Sequence, residues 1–297
     1  MKTLPSHIYH FSGTKKGPTV VIFGATHGNE IVGANIIEQL KKTLPKEEIF
    51  GEIYLIIGNP DALQKKVRFI DFDLNRLFGD DFEKLSAKNY YSLSIEERRA
   101  LELAPILAKA DYLMDIHSTI KKSIPFVYIK NSLKHIMIAK IFGTKFVVSS
   151  LFYCKAKSLH SSVDNFVDKA GGIGITYETG WHKDTSVFGE TMSKVKQFLS
   201  FVGSAFHTFP GVSKTRGPKH ILIYKEILPK KKQFTFQQDY RNLDFLKKGT
   251  QLATDGTKKI IVTQDSYIVF PKTDIRMGRT ACYLAKEILT HNNIHHD

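Results

Sequence analysis

The sequence predicts an α/β fold with a mainly parallel sheet and helices on both of its faces, followed by a small β-rich domain. In the first two thirds of the chain, apolar runs rich in β-branched residues alternate with segments of helical periodicity, which is typical of parallel sheets. Near residue 210 the pattern changes to short strand-like pieces separated by turn sequences. Because 297 residues suffice for two modest domains, we expect domains over residues 1–210 and 211–297.

Hydrophobic spacing places the individual elements of both parts. A capping box of Ser94 and Glu97 predicts the start of a helix that reaches about residue 110, with a break or kink at Pro105. The other predicted helices cover residues 31–44, 133–141, 161–170, 187–206 and 281–289. The predicted strands cover residues 19–23, 53–57, 112–116, 125–129, 146–148 and 173–177 in the first part, and 221–227, 234–236, 260–263 and 267–270 in the second.

Composition and charge narrow the class of protein. A content of 42% hydrophobic and 24% charged residues excludes a disordered chain. The two cysteines cannot form a disulfide framework, so we expect a reducing compartment, the cytoplasm. Residues 1–10 contain no apolar run, and no apolar stretch is long enough to cross a bilayer, so we expect neither a secretory signal nor a membrane span. A net charge of +14 raises the alternative of a nucleic-acid partner. No basic cluster is interleaved with aromatic residues, so we expect the lysines to form a solvated surface and expect no nucleic-acid partner.

Candidate metal ligands follow two predicted strands. His27 and Glu30 come after the strand at 19–23, and His117 comes after the strand at 112–116. The carboxyl ends of strands in open α/β sheets are where sites form, and two histidines with one glutamate are a standard zinc ligand set. Each motif alone is weak, because a lone histidine is more often a satisfied loop residue. Together they predict a metal site. Asp115 and Asn29 are candidates to orient the imidazoles, and a role as turn or capping residues is an equal alternative for either.

Two further segments carry candidate catalytic groups. Glu178 follows the strand at 173–177 and fits a general base, although a helix N-terminal acid is an equal alternative. The segment 68–76 holds two arginines beside Asn75. Arg76 and Asn75 suit a substrate carboxylate, and Arg68 suits the oxyanion of an attacked carbonyl. The structural alternative is pairing of these arginines with the aspartates at 71 and 73.

These segments together resemble the succinylglutamate desuccinylase/aspartoacylase family, a deacylase branch of the zinc carboxypeptidase superfamily. The matching segments, in the family's order, are GATHGNE (24–30), GNPDA (58–62), RFIDFDLNR (68–76), DIHST (115–119) and YETG (177–180). The resemblance implies a zinc carboxypeptidase-like fold with a mainly parallel or mixed sheet. It also implies hydrolysis of the linear amide of an N-acyl amino acid by metal-activated water, with that small molecule as the substrate.

The resemblance also implies roles for individual residues. It implies one Zn²⁺ per chain on His27, Glu30 and His117. It implies Glu178 as general base and then general acid, Arg68 for the carbonyl oxygen, and Asn75 with Arg76 for the free carboxylate of the substrate. In the second domain, Tyr267 is the candidate for a substrate-binding tyrosine of the family, with ordinary strand packing as the alternative.

One departure from aspartoacylases bears on the substrate. Those enzymes carry a further arginine before the strand of Glu178, whereas residues 160–168 contain none here and contain aspartates. An aspartate there would repel a second carboxylate and would accept an amine. Lys155, Lys157 or His160 are candidates to compensate. Two other functions stay open, namely a metallocarboxypeptidase acting on a short or unusual peptide and a non-enzymatic polyanion-binding protein. The oligomeric state is not determined by the sequence.

Overall fold

The computed structural model describes residues 4–150, 161–207 and 217–288. Over these residues the chain forms seven α-helices and fourteen strands. The helices are α1 (Ile31–Thr43), α2 (Pro60–Lys65), α3 (Phe82–Ser86), α4 (Ile95–Leu107), α5 (Leu133–Ala139), α6 (Val163–Lys169) and α7 (Phe188–Phe201). The strands are β1 (Ile8–Ser12), β2 (Lys15–Gly24), β3 (Phe50–Ile57), β4 (Tyr112–Thr119), β5 (Phe126–Lys130), β6 (Phe146–Ser150), β7 (Ile173–Trp181), β8 (Lys219–Ile227), β9 (Phe234–Phe236), β10 (Phe245–Leu246), β11 (Gln251–Asp255), β12 (Lys258–Ile261), β13 (Ser266–Val269) and β14 (Cys282–Glu287).

Eleven of these strands form one mixed sheet. Its order is β1-β3-β2-β4-β7-β5-β6-β8-β14-β13-β10. Strands β3, β2, β4 and β7 run parallel, whereas β5 is antiparallel to β7. The remaining three strands form a small separate sheet in the order β12-β11-β9. The predicted α/β class with a small β-rich part at the C-terminal side is therefore confirmed.

Helices cover both faces of the sheet, as predicted, because its central strands are apolar on both sides. Neighbouring residues of β2 alternate between two hydrophobic cores, with Val20 and Ile22 in one and Val21 and Phe23 in the other. Helices α1, α5 and α7 contribute to the first core, and α4 and α6 contribute to the second. Such two-sided burial is what parallel strands require.

The predicted capping box is present at the start of α4, where Ser94 and Glu97 exchange side-chain-to-backbone hydrogen bonds. Pro105 lies inside α4, which ends two residues later at Leu107. The helix predicted over 281–289 is wrong. Residues 282–287 form strand β14, which pairs antiparallel with β8 and β13. Alanine, leucine, lysine and glutamate favour helices locally, but pairing on both sides of the strand outweighs that preference.

The C-terminal strands extend the main sheet. β8 pairs in parallel with β6, and β14, β13 and β10 follow it. The predicted domain boundary near residue 210 lies outside the described residues, so the two-domain division stays a prediction. Among the helices of the described residues, none has the length and apolar character needed to cross a bilayer.

Candidate active site

Three buried side chains meet at the carboxyl edge of the sheet. His27 and Glu30 lie in the turn between β2 and α1, and His117 lies within β4, which extends to Thr119. One potential ligand atom from each residue lies within 4.8 Å of the other two. The Nδ1 atoms of His27 and His117 lie 2.8 and 3.0 Å from the two carboxylate oxygens of Glu30. The structure thus brings together the three residues that the sequence suggested as ligands.

Aspartates hold the far side of each imidazole. Nε2 of His117 lies 2.7 Å from Asp115, and Nε2 of His27 lies 3.0 Å from Asp73. Carboxylates in this position fix the orientation of a metal-binding imidazole. Asp115 therefore makes the contact with an imidazole that its predicted role requires. The prediction for Asn29 is wrong, because Asp73 occupies the position beside His27.

The charges of this cluster fit a cation. Burial alone would raise the pKa of Glu30, but the imidazoles of His27 and His117 hold it well below its usual range. Burial alone would lower the pKa of His117, but the carboxylates of Asp115 and Glu30 raise it well above its usual range. A positive charge beside these buried carboxylates would stabilise their ionised form. The donor set of two imidazoles and one carboxylate suits Zn²⁺.

Close backbone packing shapes the turn that carries the ligands. A Cβ atom on Gly28 would lie 2.0 Å from the backbone of Ala62 at α2, so only glycine fits there. Gly24 and Gly33 are equally close, since a Cβ on Gly24 would lie 2.7 Å from the backbone of Gly33. These contacts seat α1 directly on the end of β2.

Glu178 lies beside the ligand cluster on the neighbouring strand. It is a residue of β7, and its Cα is paired in register with that of His117 on β4. Its side chain is buried, and Oε2 has no hydrogen-bond partner among the described residues. Burial raises the pKa of Glu178 to about 7. A carboxyl group of this kind is able both to accept and to release a proton near neutral pH.

The loop 68–76 brings its arginines to the same place. Arg68 donates to Asp73 at 3.1 Å and lies 3.5 Å from Glu30, so the expected arginine–aspartate pairing exists for this aspartate. The Oδ1 atom of Asn75 accepts a hydrogen bond from the backbone N–H of Val163, which ties the loop to the start of α6.

A buried glutamate of α4 holds this loop. Glu96 is fully buried and accepts hydrogen bonds from the backbone N–H groups of Ile70, Asp71 and Phe72. It also accepts one from the side chain of Asn59. Burial alone would raise the pKa of Glu96, but these donors lower it. Sequence reasoning assigned no such role to Glu96, because its partners are distant backbone groups.

A cavity of about 1110 Å³ joins these groups. The predicted residues that line it are His27, Glu30, Arg68, Asn75, Arg76, His117 and Glu178. The second part of the chain also lines it, with residues that include Lys272, Arg276, Arg279 and Tyr283. Lys272 was not foreseen. Burial lowers the pKa of Lys272 to about 8, helped by the repulsion of Arg68 and Arg76.

Tyr267 does not join this group. It lies on β13, where its ring packs against Phe146 and Phe245 and its hydroxyl accepts a hydrogen bond from Lys219 at 3.3 Å. Tyr267 is not among the residues that line the cavity, and the lining tyrosines are Tyr128 and Tyr283. The packing alternative therefore describes the environment of Tyr267. Cys154, Lys155, Lys157 and His160 lie outside the described residues.

Fold and site together define a class of protein, namely a mixed α/β protein with a candidate His₂Glu metal centre in a charged cavity. The comparisons name the family. A sequence model of the succinylglutamate desuccinylase/aspartoacylase catalytic domain matches residues 16–201. The chain belongs to this family, and the resemblance in its motifs is confirmed.

Individual relatives agree with this membership. Aspartoacylase from Xenopus tropicalis is 38% identical over 109 residues, which is 34% of each chain, so the match spans about a third of that relative. Succinylglutamate desuccinylase from Shewanella frigidimarina is 26% identical over 291 residues, covering 88% of this chain and 80% of the relative. A solved succinylglutamate desuccinylase/aspartoacylase from Rhodobacter sphaeroides has the same fold. Its TM-score is 0.72 at 18% identity, over 95% of this chain and 89% of the other.

Proposed function

We propose that the protein is a zinc-dependent amidohydrolase that removes the acyl group from an N-acyl amino acid. One observation carries the proposal: a three-ligand cluster, a buried unpaired carboxylate and two arginines line the same cavity. His27, Glu30 and His117 would hold one Zn²⁺ per chain. When bound, the ion would supply Lewis acidity to the amide carbonyl and make water a stronger acid.

Glu178 moves the proton in this proposal. Its carboxylate takes a proton from the attacking water and later delivers it to the leaving nitrogen, as one group serving as base and then acid. Its burial and its free oxygen support that role. Arg68 stabilises the negative charge that develops on the carbonyl oxygen, since a guanidinium already oriented by Asp73 needs little reorganisation.

Asn75 and Arg76 bind the free carboxylate of the substrate. The oxygen of the Asn75 side chain accepts a hydrogen bond from Val163, which orients the amide, and its NH₂ group supplies donors for a ligand carboxylate. Arg76 lines the cavity and supplies the matching charge. The partly buried Lys272 adds a further positive charge to the same wall.

Residues of the second part, among them Lys272, Arg276 and Arg279, line the cavity and add positive charge to it. The match to the family's catalytic domain supports a deacylase over the metallocarboxypeptidase alternative. We also propose that the protein is located in the cytoplasm, as its cysteine usage predicts.

The test is amine release from N-acyl amino acids by zinc-loaded and chelated protein. The panel pairs acetyl and succinyl groups with acidic, neutral and basic amino acids. We expect release that chelation abolishes and that added zinc restores. The control is His117→Ala, which should lose bound zinc and activity together.

Two results would count against the proposal. Full zinc occupancy in His117→Ala would remove the assigned metal site. No release from any member by protein shown to hold zinc would remove the deacylase, and short peptides would then be the next substrates to test.

A further inference from the structure

A second carboxylate in the cavity has no role in the proposed chemistry. Asp164 lines the cavity and is 3% exposed, and its Oδ1 atom has no hydrogen-bond partner among the described residues. The nearby Asp168 is engaged differently, because its Oδ1 accepts from the backbone of Gly174 and lies 2.8 Å from His135. Apart from Glu178, Asp164 is the one lining carboxylate of the described chain with a buried, unpartnered oxygen.

The fold places Asp164 within reach of a molecule bound at the catalytic groups. Its backbone lies over Gly174, where a Cβ atom would come within 2.2 Å of the Asp164 carbonyl oxygen. Every second residue of a strand points to the same face of its sheet, so one face of β7 carries Gly174, Thr176 and Glu178. Residues two apart on a strand are separated by about 7 Å. Thr176 also lines the cavity, so the space continues from Glu178 towards Asp164.

The electrostatic surroundings favour a cationic partner. Within residues 4–150, 161–207 and 217–288, no lysine, arginine or histidine forms an ion pair with Asp164. Burial raises the pKa of Asp164 to about 6, although a hydrogen bond from the Ser162 side chain acts against it, and the charges of Asp168 and Asp115 raise this pKa further. A ligand carboxylate would add to this repulsion, whereas an ammonium group would relieve it and supply the missing hydrogen bond.

We propose that Asp164 binds an ammonium group of the substrate, so that the preferred N-acyl amino acid carries a positively charged side chain. The inference rests on the proposed deacylase function and specifies its substrate class. The free carboxylate of such a substrate would meet Arg76, and its ammonium would meet Asp164.

The experiment compares substrates that differ only in this charge. The zinc-loaded full chain is assayed with Nα-acetyllysine, Nα-acetylornithine and the neutral Nα-acetylnorleucine, each also as the succinyl compound. We expect kcat/KM to be about tenfold or more higher for the ammonium substrates, which is the effect of a charged hydrogen bond. Asp164→Asn should bring the ratio close to one. Asp274→Asn, which removes an exposed carboxylate from the cavity rim, should keep it.

A variant that moves the carboxylate of residue 164 without removing it distinguishes a change in substrate recognition from a folding defect. Asp164→Glu lengthens the side chain by one methylene, so kcat/KM for the shorter ornithine derivative should rise relative to that for the lysine derivative. A neutral or acidic preference in the natural protein, or a ratio unchanged in Asp164→Asn, would overturn the inference and leave the deacylase intact. Hydrolysis of none of these substrates or of the wider panel would overturn the deacylase and the inference with it.

Discussion

At the scale of single residues, the site combines satisfied and unsatisfied carboxylates. Glu30, Asp73 and Asp115 each face an imidazole, so their charges are compensated. Glu178 and Asp164 each keep a buried oxygen without a partner among the described residues. Folding rarely leaves such atoms unpaired, because desolvation without a hydrogen bond destabilises the folded state. Their presence in one cavity is the physical reason to assign them to a ligand.

The first prediction concerns Glu178. Glu178→Gln preserves shape and removes the proton-accepting group, so turnover should fall by about a hundredfold or more while zinc content stays at one per chain. Metal analysis and kcat on the same preparation measure both quantities. Glu226→Gln is a matched control, since Glu226 lines the same cavity and its carboxylate accepts a hydrogen bond from the hydroxyl of Thr280. Unchanged turnover in Glu178→Gln would exclude it from the mechanism.

The second prediction concerns Arg76. Arg76→Ala should raise KM by about ten- to a hundredfold for substrates with a free α-carboxylate, because a charged hydrogen bond is lost. The corresponding α-amides should change little. Arg276→Ala is the comparison, since that arginine pairs with Asp274 at the rim. An equal rise in KM for the acids and the amides would show that Arg76 does not bind the α-carboxylate.

At the scale of elements, the loop 68–76 depends on α4, although no residue of that helix lines the cavity. Glu96→Gln replaces a carboxylate oxygen that accepts from the backbone of Asp71 and Phe72 with an N–H donor facing these donors. We expect about 1–3 kcal/mol lower stability and a weaker KM, measured by urea unfolding and kinetics. Glu83→Gln, at an exposed position of the neighbouring α3, should change neither quantity appreciably. Wild-type stability and KM in Glu96→Gln would contradict this role.

The pairing of β6 with β8 should make stability depend on pH. His220 of β8 is buried, its Nε2 lies 2.8 Å from Ser149, and burial lowers its pKa to about 4. The unfolded state binds a proton near pH 6.5 and the folded state does not until about pH 4. Stability should therefore fall as the pH drops from about 6.5 to 4, by at most about 3 kcal/mol.

The matched variants isolate this effect. His220→Gln should reduce the decline of unfolding free energy between pH 7 and pH 4.5, and His7→Gln, at an exposed histidine, should leave it as in the natural protein. The same decline in all three proteins would assign the pH dependence to other groups.

The sequence was informative where chemistry and position lie close together in the chain. His27 and Glu30 occupy one turn, and His117 sits on an adjacent strand, so local motifs at strand ends sufficed. The lack of an arginine in residues 160–168 already suggested that an aspartate there would accept an amine, but the choice of Asp164 over Asp168 depends on which oxygen the fold leaves unpaired. The place of Lys272 depends on burial and on neighbours that no local pattern encodes. The mistaken helix at 281–289 has the same origin, because strand pairing with distant residues overrode local propensity.

At the scale of the whole molecule, one sheet connects both parts of the chain. Hydrogen bonds between β6 and β8 continue the sheet from the candidate metal ligands into the C-terminal strands. The cavity also takes its wall from both parts. Because loss of either part would expose paired strand edges and buried apolar residues of the other, we expect the two to unfold together.

Two local probes test this expectation during urea unfolding. Trp181, the single tryptophan, reports on the end of β7, and the thiol of Cys282 reports on β14 in a Cys154→Ser background. Burial raises the pKa of the Cys282 thiol, so it should react only after β14 opens. Tryptophan fluorescence and thiol labelling should therefore give the same midpoint. A lower midpoint for the thiol would mean that the C-terminal part opens independently, and the site would then lose its wall before its metal ligands separate.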